Sequence, residues 1–303
     1  MTSISPSSAM RPGGNDYLLL LLLAAVWGSS FLFIKLAVAT LPPISVAAGR
    51  IGIGAIALLV LALARGARWP TARSDWRKLI AMGLFGNIVP FSLINWGETH
   101  IDSGIAAILM TIVPLATIVM AHYFAKDEPL SLPKMAGVAL GMAGVVILVG
   151  PSAASGLGHQ AMGELAVTLA AICYAANGII VRRLAHLPVD VIGAGALISA
   201  AIMGVPASLA FDHPWQATPS TLSLISVILL GVLNTAGGYL LLFRLIERTG
   251  AGFASFNNFL VPLFGVLWGA LLLGEKPAVQ AYLALAFIMA GLLAPRLWPR
   301  RAA

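Results

Sequence analysis

Two stretches decide the architecture: "GIAAILMTIVPLATI" (Gly104–Ile118) and "GFASFNNFLVPLFGV" (Gly252–Val266). In each, a Val-Pro-Leu places its proline, Pro114 or Pro262, ten residues after the opening glycine. Each run then ends in an acidic turn, "KDEPL" with Glu128 and "GEKPA" with Glu275. Self-similarity at a fixed period marks a chain assembled from repeated units. Two further matches keep the same order. "GLFGNIVPF" from Gly83 corresponds to "GVLNTAGGY" from Gly231, and an offset of 147 residues sets Trp27 on Tyr174, Ser30 on Asn177 and Lys35 on Arg182.

Composition fixes the solvent in which these repeats fold. The chain is 59% hydrophobic and 10% charged, with a mean hydropathy of +0.95. A soluble domain carries roughly 25% charged residues, so this chain cannot cover a surface with polar groups. It reads as an all-α polytopic membrane protein. The net charge of +7 is then no sign of nucleic-acid binding. The single cysteine, Cys173, excludes an internal disulfide and a cysteine-based metal site, and reads as a small buried side chain.

A helix needs about 20 apolar residues to cross the hydrocarbon core. Ten runs qualify: 17–38, 44–64, 78–97, 103–125, 131–150, 161–181, 190–211, 221–244, 250–273 and 278–296. The breaks between them carry turn residues or charge, and none is long enough for a soluble domain. The first run is too long for a signal-peptide core and has no small-residue cleavage site, so it counts as a span.

Basic residues set the orientation. With the N-terminus in the cytoplasm, fifteen of eighteen Lys and Arg fall on the inner side, among them Arg65, Arg68, Arg73, Arg77, Lys78, Lys126, Arg182 and Arg183. Only Lys276 lies in an outer loop, while Lys35 and Arg50 lie within spans. Both termini are therefore expected inside. The halves, residues 1–150 and 151–303, hold five spans each. Five is odd, so the second half enters the membrane inverted. That build recurs in secondary transporters, with the substrate near the midplane between the halves.

With "WGSSFLFIK" opening the first half, the "P…E" pattern of the fourth and ninth spans, and the glycine-rich fifth span "GVALGMAGVVILV", the chain resembles the EamA-type transporters of the drug/metabolite transporter superfamily. The resemblance implies a ten-span transporter of the bacterial inner membrane that exports metabolites from the cytoplasm, with the aromatic and neutral amino-acid exporters as the nearest branch. The second-half partner of "WGSSFLFIK", "CYAANGIIVRR", has diverged.

Polar and aromatic residues near mid-span are the candidate cavity lining: Trp27, Ser30, Asn87, Phe91 and Thr111 in the first half, Tyr174, Asn177, Tyr239 and Asn258 in the second, with Asn234 and Asn257 as companions. Asparagine in hydrocarbon must find partners, so any one of them also fits interhelical packing. Pro114 should free the carbonyl of Met110, and Pro262 that of Asn258, giving acceptors and hinges. Lys35 has two readings. It extends to the interface with its counterpart Arg182, or it lines an outward vestibule with Arg50 and meets a carboxylate, with Glu98 and Asp102 offsetting the charge. "GVALG" from Gly137 forms a GxxxG, expected to pack closely within a monomer or a weak homodimer.

No Asp or Glu lies at mid-span, which weakens proton exchange through a buried carboxylate. No cluster of midplane Lys or Arg suits a phosphorylated substrate. A neutral, aromatic cavity dotted with asparagine suits a zwitterion with an apolar side chain. The expectation is export of neutral amino acids, aromatic ones or methionine, by alternating access or facilitated diffusion. The alternative is a broad-specificity drug exporter. Paired aspartates, HExxH and a serine elbow are all missing, so an enzyme is not expected. No cofactor or metal is implied, and the partners are a small-molecule substrate and the lipid bilayer.

Overall fold

The computed structural model describes residues 12–124, 132–154 and 158–297. Glu128 of the first acidic turn, Lys126 and Trp298 lie outside the described residues. Every regular element among the described residues is helical. The first two are α1 (Gly14–Val38) and α2 (Pro43–Ala64), the latter starting on a proline whose missing N–H is no loss in a first turn. The third run is α3 (Arg73–Gly83), a π-helical stretch Leu84–Ile88, and α4 (Val89–Glu98). The fourth is α5 (Ser103–Leu109) and α6 (Ile112–Phe124), followed by α7 (Leu132–Ala154) and α8 (Gly158–Arg182). Then come α9 (Val189–Ala207), α10 (Thr221–Leu229), a second π-helical stretch Leu230–Gly237, α11 (Gly238–Ala254, broken by the non-helical Gly250 at φ 80°), α12 (Asn257–Leu272) and α13 (Val279–Leu297).

Eight helical segments are long and apolar enough to cross a membrane, and two shorter apolar helices occupy Lys134–Leu148 and Val279–Gly291. All ten overlap the runs read from the sequence. Large apolar side chains such as Leu18, Ile56, Val60 and Ile202 point outward, as a protein dissolved in lipid requires. The chain is a multi-pass membrane protein.

The π-helical turns have a local cause. A widened turn leaves a carbonyl without its usual i+4 partner. Asn87 Nδ2 donates to Met82 O at 3.2 Å, and Thr235 Oγ1 donates to Leu230 O at 2.8 Å, each reaching back five residues. The side chains thus satisfy what the backbone releases.

The break expected at Pro114 falls before it. The fourth run breaks at Met110–Thr111, and Pro114 is the third residue of α6, within its first turn. A proline there costs no intrahelical bond, because first-turn N–H groups have no partner to lose. The carbonyl of Met110 is not free either, since it accepts from Val113 N at 3.1 Å. Pro262 lies inside α12, and the ninth run breaks before it, at Ser255–Phe256.

Polar cross-links tie the two ends of the bundle. At one end Asp16 on α1 accepts from Arg248 on α11, and Asp75 on α3 accepts from Lys78 at 2.9 Å and contacts His186 at 3.0 Å. At the other, Thr40 donates to Ser223, and Ser45 donates to Asp212. The Glu275 carboxylate accepts from Ser103 N at 2.8 Å and Gly104 N at 2.9 Å. Glu275 thereby satisfies the orphan donors that open α5, where a negative charge is favoured. The first end also carries Arg65, Arg68, Arg73, Arg182 and Arg183, and is called the basic end below.

Between the halves, α1 packs on α12 as α8 packs on α6, α1 packs on α10 and α11 as α8 packs on α3 and α4, and α2 packs on α9. The glycine-rich α7 packs on α13 within one chain. An ideal Cβ on Gly291 would fall 2.4 Å from Gly137 O and 2.8 Å from Gly141 N, so the GxxxG surface of α7 is spent on α13.

Candidate functional site

A cavity of about 430 Å³ lies between the halves, within the roughly 300–1,000 Å³ usual for small-molecule sites. Its wall draws on α1, α2, α3, α4, α6, α8, α9, α11, α12 and both π-helical stretches. Seven of the nine residues chosen from the sequence line it: Trp27, Ser30, Phe91, Tyr174, Asn177, Tyr239 and Asn258. Asn87 and Thr111 do not. Asn87 is turned to Met82 O, and Thr111 Oγ1 donates to Ile108 O at 2.5 Å. Pro262 lines the cavity, whereas Pro114 does not. The lining reaches the basic end at Val181, Val189 and Ile246. Towards the opposite end, the lining residues Phe31, Ile34 and Ile94 belong to the large buried cluster that holds Ile101, Ile108 and Leu230.

Backbone bonds fix the aromatic wall. Trp27 Nε1 donates to Asn234 O at 3.1 Å, and the Asn234 amide donates back to Val26 O and, at 3.0 Å, to Ser29 Oγ. The set latches α1 to the second π-helical stretch. Interhelical bonds in membranes average about 0.6 kcal/mol, so the latch orients more than it stabilises. Phe91 and Tyr174 meet edge to face with centroids 6.4 Å apart, and Tyr239 lies 5.6 Å from Phe243.

Asn177 approaches Gly86 so closely that an ideal Cβ there would fall 2.6 Å from its amide. The Oδ1 atoms of Asn177, Asn234 and Asn257 are buried without a hydrogen-bond partner. All three residues line the cavity. Unpaired buried acceptors are costly, and these lie where a donor on a ligand could reach them.

The expectation of a charge-neutral cavity is overturned by Arg50, which lines it and is 6% exposed. Arg50 is the one residue of α2 in this wall. Its Nε donates to Thr235 Oγ1 at 2.8 Å, and its Cζ lies 3.9 Å from the centroid of Phe91. Lys35 does not line the cavity. Its ammonium donates to Glu98 O and Ile101 O, both at 2.8 Å. Those carbonyls belong to the last turn of α4 and the turn after it, where a cation is favoured. Lys35 thus reaches the end of the bundle, but onto protein carbonyls. Nor does Glu98 pair with either cation: it is fully buried and both of its carboxylate oxygens lack a hydrogen-bond partner.

Thr235, which holds Arg50, escaped selection from the sequence. Its signal was present, since "NT" is a polar pair in the middle of an apolar run. Phe31, Ile34 and Met110 carried none, being ordinary apolar residues of their helices. Among the described residues no group of three His, Cys, Asp or Glu is placed to hold a metal ion, and Cys173 is buried and free.

Comparison with known proteins agrees with this architecture. An uncharacterized transporter of Archaeoglobus fulgidus is 26% identical over 281 residues, covering 92% of this chain and 97% of its own. The uncharacterized inner membrane transporter YedA of Escherichia coli is 27% identical, covering 87% and 85%. A probable terminal-alkyne amino-acid exporter of Streptantibioticus cattleyicolor is 24% identical, covering 90% and 91%. One solved crystal structure shares the fold with a TM-score of 0.67 at 22% identity, covering 95% of this chain and 99% of its own. The EamA-like transporter family matches twice, over residues 15–150 and 161–294, and the chain belongs to that family.

Proposed function

We propose that the protein is a ten-span secondary transporter or facilitator of the bacterial inner membrane that exports neutral amino acids with aromatic or large apolar side chains. Its two five-helix halves are inverted repeats, both termini are cytoplasmic, and the halves rock about the cavity in alternating access. The observation that carries this reading is the cavity itself, walled by Trp27 and Phe91 from one half and Tyr174 and Tyr239 from the other. The double match to the family, and helix contacts that recur with the halves exchanged, support the repeat. Basic residues gathered at one end support the orientation. The lining that reaches that end supports an inward-facing state. The inner-membrane name of YedA and the amino-acid exporter name of the Streptantibioticus cattleyicolor protein support location and substrate class.

A broad-specificity exporter is the second reading, favoured by the mostly apolar wall. Arg50 weighs against the lipophilic cations such exporters carry, because like charges repel in a dry cavity. The deciding experiment is reconstitution into liposomes, with uptake of radiolabelled amino acids measured with and without a pH gradient. Saturable uptake of tryptophan, phenylalanine or methionine is expected. Transport of lipophilic dyes with no amino-acid flux above empty liposomes would favour the second reading.

A further inference from the structure

Arg50 is a buried cation with unused bonding capacity. Among the described residues no carboxylate oxygen lies within ion-pair distance of it, and its only hydrogen bond runs from Nε to Thr235. The guanidinium fork keeps its charge and presents terminal N–H groups spaced for two carboxylate oxygens. Here one face of the fork is covered by Phe91 and its Nε edge is held by Thr235. The terminal nitrogens are the part of the fork left for a ligand in the cavity that Arg50 lines. Among the described residues the hydroxyls of Tyr174 and Tyr239, on the same wall, have no hydrogen-bond partner either. A charge held this far from water with no counter-ion is strongly unfavourable unless an anion completes it.

We propose that Arg50 is the specificity determinant of the cavity: it pairs with a free carboxylate, so the protein carries compounds with an apolar body and a carboxylate and excludes the corresponding amines and amides. The proposal rests on the transport reading above and deepens it. The carboxylate engages the first half through α2. The unpartnered Oδ1 atoms of Asn177, Asn234 and Asn257 all belong to the second half and suit the ammonium of an amino acid. A zwitterion would thus be bonded by both halves at once. Lys35 has no part in this, its ammonium being held by Glu98 O and Ile101 O.

The test uses the full-length protein in liposomes and four probes that share one ring: phenylalanine, 3-phenylpropanoate, phenylalaninamide and phenethylamine. Saturable phenylalanine uptake is expected, inhibited by 3-phenylpropanoate and, at least about tenfold more weakly, by the amide and the amine. Arg50→Gln should remove that discrimination and Arg50→Lys should keep part of it. Thr235→Val serves as a second variant, since it removes the support of the fork and leaves the charge. It should raise the KM for phenylalanine while the preference over the amide persists. Equal inhibition by the amide, with phenylalanine still carried, would overturn the role of Arg50 and leave the transport reading standing. If the wild-type protein carries none of the four, the transport reading fails and the proposal falls with it.

Discussion

The guanidinium of Arg50 lies over the ring of Phe91, with 3.9 Å between Cζ and the ring centroid. The ring does two things there. Its negative face steadies a charge that has no counter-ion among the described residues, and it meets Tyr174 edge to face in the cavity wall. Phe91→Leu keeps most of the apolar volume and removes the π face. A desolvated cation–π contact contributes roughly 1–2 kcal/mol. The KM for an aromatic amino acid is therefore expected to rise about tenfold, with less change for leucine, which has no ring to stack. Equal losses for phenylalanine and leucine would mean that Phe91 acts only through the placement of Arg50.

Lys35 is expected to behave in the opposite way. Its ammonium serves Glu98 O and Ile101 O at the end of α4, away from the cavity. Lys35→Met leaves two carbonyls without their charged donor, and an unsatisfied buried polar group costs about 1–3 kcal/mol. The purified variant should melt several degrees lower in detergent, while the order of preference among transported substrates stays as in the wild type. A normal melting curve with altered substrate preference would return Lys35 to a role in an outer vestibule.

The contrast between these two cations shows how far the sequence could be read. Both stood out as charges in apolar runs, and neither neighbourhood could be read further from spacing. Arg50 meets Thr235 across 185 residues of chain, and Lys35 meets Glu98 across 63. The helices were legible because apolar runs report burial in lipid directly. The aromatic pair Trp27 and Tyr174 was legible because the offset between the halves puts both on equivalent spans. Asn87 and Thr235 show where that stops. They occupy equivalent places in two π-helical stretches and each reaches back five residues to a carbonyl, yet Thr235 lines the cavity and Asn87 does not. A widened turn shifts the angular position of every later residue, and a 3.6-residue period does not record it. Pro114 misled for a related reason. Pro114 opens α6 rather than bending it, so the break precedes the residue that announced it.

The α7–α13 contact sets a stability test that does not depend on substrate. The Cβ of any residue larger than glycine at position 291 would press on the backbone of α7, 2.4 Å from Gly137 O. Backbone cannot swing aside as a side chain can. Overpacking of this kind costs about 1–3 kcal/mol, and the rigid neighbour argues for the upper part of that range. Gly291→Leu should lower the melting temperature and broaden the size-exclusion peak. Leu283→Ala, on the same helix but exposed, should change neither by a comparable amount. If Gly291→Leu instead converts a dimer to a stable monomer, the glycine surface serves association between chains.

Gly86 offers the complementary case, in which function should suffer and the fold should not. An ideal Cβ at Gly86 would fall 2.6 Å from Cγ and Nδ2 of Asn177 and 2.7 Å from its Oδ1. The obstacle is the end of a side chain, which can rotate away, so Gly86→Ala needs no backbone shift. Alanine also favours a helix over glycine by roughly 1 kcal/mol. The melting temperature is expected to hold or rise slightly. The displaced amide, however, takes the Asn177 Oδ1 out of the position that suits an ammonium, and amino-acid uptake should show a higher KM. A double-mutant cycle separates this from a general disturbance of the cavity. If Gly86→Ala acts through Asn177, then adding it to Asn177→Ala should cost little more than Asn177→Ala alone, because contacting residues are not additive. Additive losses in the cycle would assign the effect to the widened turn at Leu84–Ile88 rather than to the asparagine.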